Sequence, residues 1–275
     1  MSKIEYDYKR KRLRKHQAQS TCFKAASILM PQDFKFSNML CLPSMRPETG
    51  CVGQALHKSN AIIDNNTKIL GIENEKSCPH IKQKLNRMGF SNYDMINQST
   101  EDITESTLDK YMNKLKIDTF EFVYLDLCGQ YTDGEENFIE RLKPRLSYNT
   151  FFMINFNGSY RTNHEIAVCD SYNTELTMKI FDGCYGKVRP RVAHKAAAMM
   201  SRISEILDIE PALFIRYKDP SQDTAKPTPM GISCFSNRMN PIARKLIMDK
   251  VDLVQNTGYV GVDWESTIKN SKVLT

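Results

Sequence analysis

The sequence has no run of 18 consecutive apolar residues, so no membrane-spanning helix is expected from it. Residues 1–17 lack the apolar stretch that a secretory signal needs, which predicts an intracellular protein, cytoplasmic or nuclear. The eight cysteines, at 22, 41, 51, 78, 128, 169, 184 and 234, include no Cys-x-x-Cys pair. Neither a zinc ribbon nor a thioredoxin-type site is therefore expected, and reduced, mostly buried thiols are. Cys78-Pro79-His80 offers two metal-ligand types without a matching second half, and the five histidines show no metal spacing. No Gly-x-Ser-x-Gly elbow follows a strand, so Ser159, His164 and Asp170 do not read as a hydrolase triad.

What is present is a chain of globular composition, with 41% apolar and 25% charged residues. Its 275 residues can bury a sizeable core without disulfide staples. The 38 Lys and Arg outnumber the 32 Asp and Glu, giving a formal charge of +6. Much of the excess sits at one place. Lys9, Arg10, Lys11, Arg12, Arg14 and Lys15 fill six of seven consecutive positions. Such a run suits a phosphate backbone, which it binds by counterion release without reading sequence. Tyr6 and Tyr8 could stack on bases, and Arg161, Lys187, Arg189 and Arg191 could continue a basic rim. A nuclear-localisation patch or a solvated arm are the competing readings. Nucleic acid is the expected partner.

Along the chain, the first segment reads as charged and irregular, followed by a helix over 21–30 that stops at Pro31. Apolar runs then alternate with helical patterns. Strands are predicted at 38–42, 67–73, 93–97, 120–126, 150–156, 213–217 and 230–235. Helices are predicted at 52–58, 77–88, 105–116, 135–146 and 192–207, with Gly89 standing as the C-cap of the second. This alternation predicts an α/β fold with a mostly parallel sheet covered by helices on both faces. Ligands of such sheets bind beyond the carboxyl ends of the strands, near 42–50, 73–75, 98–102, 126–132 and 156–161. The polar stretch 157–190 reads as an insertion. Expected boundaries are a basic arm and helix at 1–35, an α/β domain at 36–237 and an extension at 238–275, where Trp264 could dock the tail.

The segment Ile69-Leu70-Gly71-Ile72-Glu73-Asn74-Glu75, then a helix, then Asn86-Arg87-Met88-Gly89-Phe90-Ser91-Asn92-Tyr93, resembles the second strand and helix of class I S-adenosylmethionine-dependent methyltransferases. Residues 120–129 are similar to that family's fourth strand, and the late strand pair resembles the one closing its sheet. The resemblance covers residues 36–237 as an order of elements. It implies a Rossmann-like, seven-stranded sheet with an antiparallel final strand, and S-adenosylmethionine as cofactor. Carried over, Glu73 would hold the cofactor's ribose and Asp126 would stand at the motif IV acid, positioning the acceptor. The loop with Leu42, Pro43, Ser44 and Gly50 would surround the methionine end, with Asn74 and Ser99 completing the pocket towards the adenine. That loop departs from the family, holding one glycine and two prolines where a Gly-rich motif is usual. Asp126-Leu127-Cys128-Gly129 likewise lacks the usual motif IV prolines.

Each residue also has a plainer reading. Glu73 could cap the helix that follows it, and Asp126 could be a polar residue where a strand leaves the core. Cys128 matches a nucleophilic thiol less well than a buried one, because no second cysteine lies in 151–157. The function implied is methyl transfer from S-adenosylmethionine to RNA or DNA. The alternative is a catalytically inactive relative, of viral type, acting as a nucleic-acid-binding or assembly component.

Overall fold

The computed structural model describes residues 3–31, 33–57, 62–73, 76–127, 131–157, 162–172, 190–219, 228–238 and 259–260. The strands β1 (Asn38–Cys41), β2 (Lys68–Glu73), β3 (Tyr93–Asn97), β4 (Phe120–Asp126) and β5 (Leu146–Asn157) are mutually parallel. β6 (Pro211–Asp219) and β7 (Thr228–Ser236) follow, and the order across the sheet is β3-β2-β1-β4-β5-β7-β6. β7 runs antiparallel to both its neighbours, β5 and β6. All seven expected strands are present. A two-residue strand, β8 (Tyr259–Val260), pairs antiparallel with Ile215 and Phe214 and adds an eighth at the edge. The C-terminal extension therefore returns to the sheet. Trp264 lies outside the described residues.

The strands read as continuous apolar runs because the sheet is covered on both faces. Side chains alternate along each strand. Met39, Ile69, Phe122, Tyr124, Phe151 and Met153 face one side, and Leu40, Leu70, Val123, Leu125, Phe152 and Ile154 face the other. The first face is covered by α1 (Lys3–Leu29), α2 (Cys51–Leu56) and α3 (Cys78–Arg87). The second is covered by α4 (Glu105–Leu115), α5 (Asp133–Leu142), α6 (Asn163–Asp170) and α7 (Pro190–Leu207). Cys22, Cys41, Cys51, Cys78, Cys169 and Cys234 are all buried and free, as thiols of a reduced core. Cys128 and Cys184 lie outside the described residues. No described helix is long and apolar enough to cross a membrane.

Gly89 ends α3 as the sequence suggests. Its φ of 89° is one that side chains with a Cβ adopt at a cost, and its N–H donates to Asn86. A Cβ there would also run into the Asn65 amide.

Two expectations need correction. The basic segment is not irregular, because α1 runs without a break from Lys3 to Leu29. Lys and Arg are good helix formers, so the charge run continues the helix instead of delaying it. α5 ends at Leu142, not 146, because Lys143–Arg145 tightens into a 3-10 turn and Leu146 already belongs to β5. Pro144 in that turn cannot extend the α-helical ladder. The stretch 157–190, read as an insertion, contains α6. The Thr162–Glu165 capping box starts that helix, each side chain closing on the other's backbone N–H.

Candidate functional site

β1 to β5 point their carboxyl ends to one edge, and the residues expected to carry function collect there. Glu73 ends β2, half-buried, with Asn97 as its register partner on β3. Its backbone carbonyl accepts from Cys78 Sγ at 3.5 Å, at the start of α3. The N-cap position of α3 is Ser77, whose side chain makes no capping hydrogen bond. Two residues earlier, Gly71 gives room for Met95 and for the Pro43 ring of the next loop. Pro43 and Glu73 thereby belong to one corner. Asn74 lies outside the described residues.

The loop after β1 is coiled on itself. Ser44 Oγ accepts from the Arg46 N–H at 3.2 Å and donates to the Arg46 carbonyl at 3.0 Å. That carbonyl also accepts from the Gly50 N–H at 2.9 Å, and the Gly53 N–H donates to Pro47 O at 2.8 Å. A Cβ at Gly50 would strike Ser44 Oγ, and one at Gly53 the Glu48 carbonyl. Both glycines are thus used for chain crossing within the loop. Lys84 of α3 pins it, donating to Met45 O at 2.9 Å and pairing with Glu48 at 3.3 Å. Leu42 N–H donates to Tyr124 O at 3.1 Å, which fixes where the loop leaves the sheet. Ser99, exposed beyond β3, donates to Asp102 Oδ2 at 2.9 Å.

Asp126 closes β4 and is held at both oxygens. Asn155 Nδ2, buried on the neighbouring strand, donates to Oδ1 at 2.7 Å, and Lys15 of α1 forms an ion pair with Oδ2. Lys15 arrives there for a geometric reason. Phe23 packs edge-on against Phe122, Gln19 Nε2 donates to the Tyr124 hydroxyl at 2.9 Å, and Lys15 meets Asp126. Each step back of four helix residues, about 6 Å, matches two strand residues, about 6.6 Å. α1 therefore runs antiparallel to β4, and residues 3–14 continue past the edge by about 18 Å. Lys9, Arg10, Lys11, Arg12 and Arg14 ride on this projecting half. Their side chains, like Arg161 as a whole, lie outside the described residues.

A second polar group lies on the α4–α7 face, where sequence reasoning placed nothing. Glu136 of α5 is only 7% exposed. Its Oε1 accepts from Arg202 Nε at 3.0 Å, and Oε2 accepts from the Tyr131 hydroxyl at 3.2 Å and lies 3.1 Å from His164 Nε2. His164 Nδ1 lies 2.8 Å from Asp133 Oδ1, so both ring nitrogens face carboxylates. Beneath them Glu165 Oε1 accepts from Lys195 Nζ at 2.6 Å and from the Tyr131 N–H at 2.9 Å, the ion pair having no exposed surface. The signal available in the sequence was the pair of Thr-x-x-Glu boxes, Thr132–Glu135 and Thr162–Glu165, that start α5 and α6. Among the described residues no group of three or more His, Cys, Asp or Glu could hold a metal ion.

Burial pushes the Glu136 carboxyl up, but the hydrogen bond and charge of Arg202, then His164, outweigh it and hold it below the ordinary carboxylate range. Asp94 of β3 behaves alike, with burial outweighed by Lys114 and Lys82. A carboxyl depressed in the folded state contributes stability above its unfolded pKa, about 4, and loses it as pH falls through the folded value. The urea midpoint should hold level from pH 7 to about 5 and then drop steeply. In Glu136→Gln the drop should be shallower. A midpoint insensitive to acid, or an unchanged slope in the variant, would contradict this.

No family model matches the sequence, and no curated protein matches it. Among solved structures, the chain is similar to the N-methyltransferase NodS from Bradyrhizobium japonicum WM9, at 10% identity and a TM-score of 0.44, covering 81% of this chain and 96% of that one. It is also similar to the plantazolicin methyltransferase BpumL in complex with SAH, at 9% identity and a TM-score of 0.42, over 85% and 88% of the two chains. A third is M. jannaschii TYW2 in complex with AdoMet, at 9% identity and a TM-score of 0.39, over 79% and 76%. These superpositions are loose, and it is the strand order, with β7 reversed between β5 and β6, that decides the architecture. The fold is that of the class I S-adenosylmethionine-dependent methyltransferases. Within the methyltransferase fold, Glu73, the 42–50 loop, Ser99 and Asp126 stand at the carboxyl edge, and the His164–Glu136–Arg202 group flanks it from helices that follow β4 and β5.

Proposed function

We propose that this chain transfers a methyl group from S-adenosylmethionine to nucleic acid. The observation that carries the reading is Glu73, a half-buried acid ending β2 in a sheet of this order, two residues beyond Gly71, against which Pro43 of the loop after β1 packs. The residues fit the cofactor. Glu73 would accept from the ribose hydroxyls, and the segment around Ser99 would flank the adenine. At the methionine end the Ser44 hydroxyl is engaged within the loop, so the backbone of 42–50 would do the holding. The cofactor supplies a methyl group on a sulfonium. The protein's own part is chiefly orientation, with Asp126, fixed by Asn155 and Lys15, beside the acceptor.

Nucleic acid is favoured as acceptor by the direction of α1, whose basic half projects from the same edge. Incubation with methyl-labelled cofactor and pooled RNA or DNA should label one of them. Glu73→Ala should abolish labelling while nucleic-acid affinity stays within about twofold. Tight nucleic-acid binding with no labelling in the wild type would favour a binding or assembly role instead.

A further inference from the structure

Polar side chains from three elements meet at one point of the carboxyl edge. Asn155 is the register partner of Asp126 on β5, and with no exposed surface it donates from Nδ2 to Asp126 Oδ1 at 2.7 Å. Lys15 of α1 forms an ion pair with Oδ2. An amide is costly to bury in an apolar strand unless it is bonded, and apolar side chains often replace a shielded ion pair at little or no loss. Docking of α1 does not need the pair. Cys22, Phe23, Ala25 and Ala26 already bury the helix, and Gln19 reaches the Tyr124 hydroxyl one turn further in. What two fixed groups on one carboxylate determine is its direction. Neither oxygen can turn without breaking its contact with Asn155 or with Lys15.

Lys15 is the last cation of the basic run, held back at the edge by Asp126 while residues 3–14 continue beyond it. We propose that Lys15 is a positioning residue for the chemical step, aiming the Asp126 carboxylate at the acceptor, and that it takes no part in binding phosphate. The proposal rests on the methyl-transfer reading, since only there does Asp126 face an acceptor. One helix then serves two tasks. Residues 9–14 hold the nucleic acid, and Lys15, within about 9 Å of them along the axis, sets the acid beside which the acceptor must stand. Where a reaction depends on orientation, a misplacement of about 1 Å can cost on the order of a hundredfold in rate. Loss of Lys15 is therefore read in turnover and not in affinity.

The test is steady-state methyl transfer by the full chain and its Lys15→Met and Lys15→Arg variants, on the RNA or DNA that the wild type labels. Lys15→Met should lower kcat at least about tenfold. Its KM for nucleic acid and its S-adenosylmethionine affinity should stay within about twofold of the wild type, and the salt slope of nucleic-acid binding should not change. Lys15→Arg, which keeps the charge, should bring kcat back to within about threefold of the wild type. Lys15→Gln, a substitution that a helix accepts well, gives the same readout where Met at that position does not fold. A salt slope lower by about 1 in Lys15→Met would overturn the proposal and return Lys15 to the phosphate contacts. Wild-type turnover with kcat within about twofold in Lys15→Met, even if the urea midpoint falls, would remove this assignment alone. A wild type that binds S-adenosylmethionine and nucleic acid yet transfers nothing would remove the methyl-transfer reading, and this assignment with it.

Discussion

Lys195→Met should lower the stability of the fold by about 3–5 kcal/mol, the largest single-residue loss expected anywhere in the molecule. Glu165 and Lys195 have no exposed surface, and their ion pair joins α6 to α7 at 2.6 Å. Removing the ammonium takes the counter-charge from a carboxylate in the core that also accepts from the Tyr131 and Thr162 N–H groups. Water cannot reach it to compensate. Neutralising both partners is a different experiment, because the uncompensated charge disappears with its counter-charge. Glu165→Gln combined with Lys195→Met should therefore recover most of the loss, the Gln carbonyl still accepting from Tyr131. Urea unfolding of the three variants reads this directly. A single-variant cost below about 1 kcal/mol, or a double variant no better than Lys195→Met, would show that the pair is not what joins these helices.

Replacing Lys9, Arg10, Lys11, Arg12 and Arg14 together with Gln should remove most nucleic-acid affinity at low salt. It should lower the log–log salt slope by up to about 4, from five contacts at about 0.7–0.9 each. Gln keeps the helix propensity close to that of Lys and Arg, so α1 should persist. Lys15 is left in place because its partner is Asp126, not solvent or phosphate. Four of the five cations are consecutive and spread around the helix, so a backbone lying along one side would engage fewer, and a slope change of 2–3 would indicate that geometry. Fluorescence anisotropy of a labelled single strand across a salt series gives the slope. An unchanged slope would remove the projecting half of α1 from nucleic-acid recognition.

The sheet was legible because burial on both faces leaves a plain mark, as in Phe120-Glu121-Phe122-Val123-Tyr124-Leu125-Asp126. Glu73 and Asp126 were legible for a related reason, since an acid ending an apolar run marks where a strand leaves the core. What Asp126 touches was not legible. Lys15 and Asn155 come to it through the antiparallel passage of α1 over β4 and the register of β5, neither of which a local pattern encodes. The extent of α1 was hidden by its charge, although Ala18, Cys22, Ala25, Ala26 and Leu29 carry the apolar spacing of one helix. The Glu136–His164–Arg202 group was invisible for the plainest reason. Its members are 28 and 66 positions apart, and each alone reads as a surface residue.

The central claim is that the carboxyl edge of this sheet holds S-adenosylmethionine through Glu73. Calorimetric titration of the purified protein with S-adenosylmethionine and with S-adenosylhomocysteine measures it without any assumption about the acceptor. Saturable binding of both, weakened at least about tenfold in Glu73→Ala with cooperative melting retained, is the expected result. No heat from either ligand, in wild-type protein that melts cooperatively, would contradict it.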